Sequence, residues 1–201
     1  MQEEIHAGSI VAFHETALQT VHWAKVIPPR HHDGIWKYVE LNHRFNSLLW
    51  DEEDLARRRN VPDAEIASNK RAIDSFNQKR NDAVERLDET LLLQLGGVAL
   101  QPGARLSSET AGAMCDRLSI LALKVRAMRL QTQRSDVDAE HVANCTAKLG
   151  QLEAQRSDLA ACLDRLLTEA GAGNAYFKIY RQFKMYNDPK LNPQLYQKKP
   201  D

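Results

Sequence analysis

Several features that would define a class of protein are scarce or missing in this sequence. No stretch of its 201 residues approaches the roughly 18 consecutive apolar residues of a membrane-spanning helix, and the mean hydropathy is −0.51. The chain begins Met1-Gln2-Glu3-Glu4, without the basic start and apolar run of a signal peptide, so we expect a cytoplasmic protein. There are three cysteines, an odd number without framework spacing, which indicates reduced thiols.

Charge of one sign is not in excess, because 27 lysines and arginines balance 27 aspartates and glutamates. A nucleic-acid-binding domain needs a dominant basic surface, so we expect no nucleic-acid partner. Aromatic and basic residues alternate near the C-terminus, a pattern also found in single-strand-binding proteins. In a neutral chain we favour the alternative, in which these aromatics pack a last helix onto the body and the tail straps across it. The residues concerned are Tyr176, Phe177, Tyr180, Phe183, Tyr186, Leu191, Leu195 and Tyr196.

Familiar catalytic and metal-binding motifs are absent as well. The sequence has no glycine-rich dinucleotide loop, no phosphate-binding P-loop and no Gly-x-Ser-x-Gly elbow. It also lacks the Glu-x-x-His element of carboxylate di-metal bundles. His141 and Cys145 are four residues apart, but two ligands do not make a site. We therefore expect neither a bound metal nor a cofactor.

What the sequence does contain is helical periodicity, which predicts an all-α helical bundle with four core helices plus N- and C-terminal helices. Proline, glycine and capping residues divide the chain into six helices, at about 9–26, 35–59, 62–94, 110–133, 136–170 and 174–186. We expect a single domain in five parts. These are an N-terminal helix and loop (1–34), a first helical hairpin (35–95), a linker (96–107), a second hairpin (108–171) and a C-terminal helix and strap (172–201).

The third and fifth predicted helices resemble each other. Five residues of the third recur 76 positions later in the fifth. They are Arg80, Asp82, Leu87, Asp88 and Leu91, matched by Arg156, Asp158, Leu163, Asp164 and Leu167. The match indicates either a duplicated helical hairpin or a chance agreement between two amphipathic helices.

Each of these two helices carries an arginine in the middle of its apolar stripe. At about 100° per residue, Phe76, Val84 and Leu87 lie within about 40° of Arg80, and Arg156 has a similar setting. A buried guanidinium without a partner is too costly, so each arginine must meet a carboxylate or a ligand anion. Two interpretations stay open: a structural ion pair that fixes helix register, or an arginine that lines an interior binding site.

Two acids are candidate partners and candidate acid–base catalysts. Asp116 lies on a helix that is apolar on two sides, which predicts a buried carboxylate. Glu53 shares a helix side with Asn42 and Asn46, a polar wall beside the core, and stands four residues before Arg57, the favourable spacing for a helix pair.

Long motifs in this chain resemble the bacterial domain-of-unknown-function 4254 family over about residues 40–196. They are LWDEEDLAR (49–57), KRAID (70–74), NQKRND (77–82), SET (108–110), DRLSILALK (116–124), QRSDL (155–159) and KMYNDPKLNP (184–193). The resemblance implies that Glu53, rather than Glu52, is the acid that matters. It implies no established activity, but an association with glycosyltransferases of cell-envelope polysaccharide pathways. The family often has His where Asp51 stands and Pro where Ala111 stands, so a histidine-based role at Asp51 is not expected.

These observations lead to two hypotheses of function, and they leave open whether the protein is an enzyme. In the first, an interior polar pocket binds a small anionic or sugar-phosphate ligand, with Glu53 or Asp116 as acid or base. The ligand-binding residues would be Asn46, Arg57, Arg80, Arg117, Lys124 and Arg156. In the second, the same charges are structural ion pairs in a non-enzymatic accessory protein that docks on a glycosyltransferase or on itself as a homo-oligomer. The two differ in whether Arg80 and Arg156 face a solvent-connected cavity.

Overall fold

Seven helices and one pair of very short strands are formed in the part of the chain that the computed structural model describes, residues 5–181, 185 and 188–196. The predicted all-α class, with four long core helices, is confirmed. The helices are α1 (Ala7–Ala17), α2 (Trp23–Val26), α3 (Gly34–Leu55), α4 (Asp63–Gln94), α5 (Ala111–Thr132), α6 (Ala139–Gly171) and α7 (Pro193–Tyr196). The strands are β1 (Arg105–Leu106) and β2 (Ala175–Tyr176).

The four long helices form two hairpins that share one core. α3 packs along α4, α5 packs along α6, and α5 also touches α1, α3 and α4. Leu87 of α4, Leu118 of α5 and Leu163 of α6 are fully buried in one core cluster. Burying each such side chain contributes about 1.5–3 kcal/mol, so the apolar spacing of these helices accounts for the bundle. None of the described helices is long and apolar enough to cross a membrane.

Side-chain caps set the starts of the second hairpin's two helices. Thr110 accepts a hydrogen bond from the Ala113 amide at the start of α5, so the predicted N-cap is confirmed. Asp138 accepts one from the His141 amide at the start of α6. Such caps satisfy amide groups that have no partner inside the helix and contribute about 1 kcal/mol each.

The N-terminal segment differs from the single helix predicted over 9–26. α1 ends at Ala17, His22 adopts a left-handed conformation (φ 53°), and α2 begins at Trp23. The break lets the Trp23 indole turn into the protein, where it is buried and its Nε1 donates to Ser47 Oγ at 3.0 Å. Burying this large aromatic side chain stabilises the protein more than continuing the helix would, so the helix predicted from periodicity is interrupted.

The helix predicted over 174–186 is also wrong over residues 175–181. Ala175 and Tyr176 form β2, which pairs in parallel with β1, and residues 177–181 are not helical. Gly173 has φ +74°, and a side chain there would collide with the Ala99 carbonyl, so the backbone leaves α6 in a sharp turn.

The expected aromatic packing at the C-terminus is met in part. Phe177 is buried in the core, whereas Tyr180, Leu191 and Leu195 are exposed. Phe183 and Tyr186 lie outside the described residues.

Candidate functional site

The polar wall predicted on α3 is present and holds the carboxylate of Asp116. Asn42 and Asn46 lie one helical turn apart and are both buried. Their side-chain amides donate to the same oxygen of Asp116, Oδ1, at 2.7 and 2.8 Å. Asp116 comes from α5, so these bonds join the first hairpin to the second.

Arg80 of α4 donates to the other oxygen of this carboxylate. Its Nη1 donates to Oδ2 of Asp116 at 3.0 Å, and its Nε donates to Asn81 Oδ1 at 2.9 Å. Asp116 is the kind of partner that the apolar setting of Arg80 required. The side chains of Arg80 and Asp116 remain 20% and 17% exposed, so the pair lies at the edge of the core and not in its centre.

A buried polar layer lies behind Asp116. Asn46 also donates to Ser119 Oγ at 3.0 Å, and Ser119 Oγ lies 2.8 Å from His43 Nδ1. The His43 ring is tilted against the His14 ring of α1, with 4.2 Å between centroids. Burial lowers the pKa of His43 to about 3 and that of His14 well below its usual value, so both rings are neutral at pH 7. Helical rotation predicted the polar side of α3, but not its contacts with Ser119 and His43.

Two solvent-connected clefts border Arg80, and the first of them also borders Asp116. The first, of about 350 Å³, lies between α4 and the start of α5, with the residues after β2 on its third side. Its lining is Arg80, Asn81, Val84, Glu85, Asp88, Ser108, Glu109, Thr110, Ala113, Asp116, Lys178, Ile179 and Tyr180. The second, of about 360 Å³, is lined by Asn46, Leu49, Trp50, Glu53, Asp54, Arg57, Asn77, Arg80, Ile120 and Leu123.

Asp88 in the first cleft is a site residue that the sequence analysis missed. Its Oδ1 accepts a hydrogen bond from the Gly112 amide at 2.7 Å, near the start of α5. Gly112 permits this approach, since a Cβ there would lie 2.8 Å from Asp88 Oδ2. Burial raises the pKa of Asp88 to about 6. The sequence does contain a signal for Asp88. It stands one helical turn after Val84 and next to Leu87, which places its carboxylate on the buried side of α4.

The second cleft gathers four of the predicted residues. Asn46, Glu53, Arg57 and Arg80 all line it. Glu53 Oε2 accepts from Arg57 Nη1 at 2.7 Å, the helix pair expected from their spacing, but both side chains are exposed. The Glu53 side chain is therefore more exposed than that of Asp116, which is half-buried.

The single pocket predicted to contain Arg117, Lys124 and Arg156 as well is not formed. Arg117 and Lys124 project about 80–100° away from Asp116 around α5, towards α6, and line a different groove there. Arg117 pairs with Glu109 at 2.8 Å. Arg156 faces α1, where its Nη1 lies 2.7 Å from Glu15 Oε1. Helical rotation could place each arginine on an apolar stripe, but it could not say which neighbouring helix that stripe meets.

Among the described residues, no group of three or more histidine, cysteine, aspartate or glutamate side chains is arranged to hold a metal ion. The functional groups at the Arg80–Asp116 pair are carboxylates, amides and a guanidinium. Asp116 offers an oriented hydrogen-bond acceptor, and Asp88 offers a carboxyl group that exchanges its proton near neutral pH.

Fold and site together define an all-helical bundle protein in which a fixed carboxylate joins two helical hairpins beside open clefts. The chain matches the family described as "Protein of unknown function (DUF4254)" over residues 36–179, and it belongs to that family. The resemblance found in its motifs is thereby confirmed. No curated protein and no solved structure matches the chain. The matched segment contains Asn42, Asn46, Arg80 and Asp116, whereas α1 and α2 precede it.

Proposed function

We propose that the protein binds a small, hydroxyl-rich ligand, such as the sugar part of a sugar phosphate, in the first cleft beside Asp116 and Asp88. The observation that carries the proposal is the fixed carboxylate of Asp116. Two buried asparagines and Arg80 orient both of its oxygens at the border of a solvent-connected cleft. A carboxylate held in this way is a preorganised acceptor for ligand hydroxyl groups.

The charges of the first cleft favour a hydroxyl-rich ligand over a purely anionic one. Four carboxylates line it, from Glu85, Asp88, Glu109 and Asp116, against two cations, Arg80 and Lys178. Arg80 is already paired with Asp116, and Glu109 with Arg117. An additional phosphate group would meet uncompensated negative charge, except on the Lys178 side of the cleft. We therefore narrow the predicted anionic ligand to a sugar phosphate whose sugar, and not its phosphate, contacts the acids.

The reaction class that this arrangement permits is proton transfer to or from a bound hydroxyl or glycosidic oxygen. A general acid or base works best when its pKa is close to the working pH, and the pKa of Asp88 is about 6. Asp116 serves as the fixed acceptor that orients the ligand. Glu53, the other predicted acid, lies at the rim of the second cleft and has no role in this proposal.

Isothermal titration with hexoses, hexose phosphates and nucleotide sugars tests the proposal on the full chain. Asp116→Asn keeps the shape of the side chain but removes its charge, so we expect binding to weaken at least about tenfold. Arg105→Gln is the matched control, because it breaks an ion pair of similar geometry, with Glu169 at 2.8 Å, that does not line the cleft. No saturable binding by any of these compounds, or equal binding by Asp116→Asn and the control, would refute the proposal.

One observation favours the second hypothesis, an accessory protein without a ligand. All four arginines predicted to bind a ligand are ion-paired: Arg57, Arg80, Arg117 and Arg156. In that case a glycosyltransferase or a second copy of the chain would be the partner. The titration separates the two, because Asp116→Asn would then lower stability while no sugar compound binds to either protein. Light scattering of the full chain would test self-association.

A further inference from the structure

A small pocket between α1 and the second hairpin has a marked excess of positive charge. Its volume is about 240 Å³. The lining is Glu15, Leu18, Gln19, Ala122, Val125, Arg126, Arg129 and Arg156. Three of these residues are arginines, contributed by α5 and α6, and one is a carboxylate. None of them lines the first cleft, where the proposed function lies.

The ion pairs around this pocket do not neutralise it. Arg156 pairs with Glu15 at 2.7 Å inside the lining, and Arg129 pairs with Glu153 at 2.8 Å outside it. Arg126 forms no ion pair with any residue that the structure describes. The lining therefore carries three guanidinium groups against one carboxylate.

Apolar side chains at the base of the pocket strengthen the attraction between its guanidinium groups and an anion. Leu18, Ala122 and Val125 are buried apolar side chains beneath the guanidinium groups. Apolar surroundings reduce solvent screening, so an anion that enters the pocket is attracted more strongly than at an open surface.

We infer that this pocket binds a phosphoryl group. A guanidinium presents parallel N–H donors that match the oxygens of phosphate, and Arg126 offers a positive charge that no carboxylate of the described residues pairs with. Pockets for drug-sized ligands are about 300–1,000 Å³, so this one is suited to the phosphoryl group and not to a whole nucleotide. Arg156, which the sequence predicted to bind an anion, belongs to this pocket.

Glu15 gives the proposed site a testable property, because its carboxylate competes with the ligand for Arg156. Its carboxylate occupies Arg156 at 2.7 Å, so an entering phosphoryl group must share or displace it. Removing the charge of Glu15 therefore strengthens binding, whereas removing that of Arg126 weakens it. An ordinary structural ion pair would show neither effect.

Titration of the full chain with inorganic phosphate and pyrophosphate, followed by ³¹P NMR at low ionic strength, tests the inference. We expect saturable binding, tightened severalfold by Glu15→Gln and weakened roughly tenfold by Arg126→Gln. Arg126→Gln is preferred to Arg156→Gln because it removes no contact between α1 and α6. Arg105→Gln, an exposed arginine outside the pocket, is the control and should bind as the unmodified chain does.

A sugar phosphate in a third arm distinguishes the sources of the phosphoryl group. Tighter binding than inorganic phosphate identifies a phosphorylated metabolite, and equal binding identifies free phosphate; both support the site. The absence of saturation at low salt would overturn the inference. So would an unchanged affinity in Arg126→Gln, or weaker binding by Glu15→Gln. Failure here leaves the sugar titration of the first cleft unaffected, since the two sites share no lining residue.

Discussion

Arg80 and Arg156 occupy matching positions on α4 and α6, the two longest helices, and each helix makes the same two contacts with a neighbouring helix. Arg80 meets an acid of α5, and Arg156 meets an acid of α1. Eight residues later, the aspartates matched in the repeat each accept a backbone amide at 2.7 Å near the start of that same neighbour. Asp88 accepts from Gly112 of α5, and Asp164 accepts from Ala7 of α1. These shared roles support the duplicated arrangement suggested by the sequence.

The two regions differ in how exposed the acidic side chain of the ion pair is. The arginine side chains are similarly exposed, 20% for Arg80 and 16% for Arg156, but Asp116 is 17% exposed and Glu15 is 42% exposed. Asp116 also accepts from two buried asparagines, whereas the Glu15 carboxylate accepts from Arg156. The same helical position therefore yields a carboxylate held by three donors in one region. In the other it yields a more exposed ion pair.

The largest expected difference between the regions comes from Asp116→Ala. The substitution removes the acceptor that Arg80, Asn42 and Asn46 share, and a buried donor left unpaired costs about 1–3 kcal/mol. We expect the free energy of unfolding, measured by urea denaturation, to fall by about 3 kcal/mol. Glu109→Ala is the control, because it breaks the exposed pair with Arg117 and should cost less than about 1 kcal/mol. Equal losses would show that Asp116 is an ordinary surface acid.

A second prediction concerns the His14–His43 stack, which joins α1 to the Asp116 region. Both rings are held neutral in the folded protein, with pKa values below 6.5. Between about pH 6.5 and pH 5 the unfolded chain therefore binds protons at these positions that the folded chain does not, and stability falls as the pH is lowered. Asp88 acts in the opposite direction, because its raised pKa lets the folded chain hold a proton that the unfolded chain loses.

With two histidines against one aspartate, the net loss over this range is about 2 kcal/mol. Urea denaturation at several pH values measures it. Asp88→Asn should steepen the dependence on pH, and His14→Phe, which keeps an aromatic ring in the stack, should flatten it. A free energy of unfolding that does not change in this range would mean that these rings become protonated in the folded state.

The long helices and one side of the site could be predicted because both depend on local spacing. Apolar periodicity gave α3 to α6, and Thr110 marked the start of α5. The Asn42–Asn46 wall, and the need of Arg80 for a carboxylate or a ligand anion, followed from helical rotation. Each of these is a property of a single helix.

Contacts between helices distant in the sequence could not be obtained in this way. Glu15 meets Arg156 because α1 docks on α6, and periodicity does not encode docking. The link from Asn46 through Ser119 to His43 depends on how α3 crosses α5. The helix expected over 174–186 is not formed at residues 175–181 for a similar reason, because pairing of β2 with β1 prevailed over local helical spacing.

The smallest expected effect comes from Glu15→Ala. Glu15 is 42% exposed, and pairs of this kind contribute about 0–1 kcal/mol, so we expect a loss in free energy of unfolding below about 1 kcal/mol. α1 should stay docked, because Ile10 is fully buried and the Ala7 amide still donates to Asp164. A double-mutant cycle of Glu15 and Arg156 should give a smaller coupling energy than one of Asp116 and Arg80. Equal coupling energies would mean that the two ion pairs are equally strong. Glu15 would then bind Arg156 too firmly for a phosphoryl group to displace it.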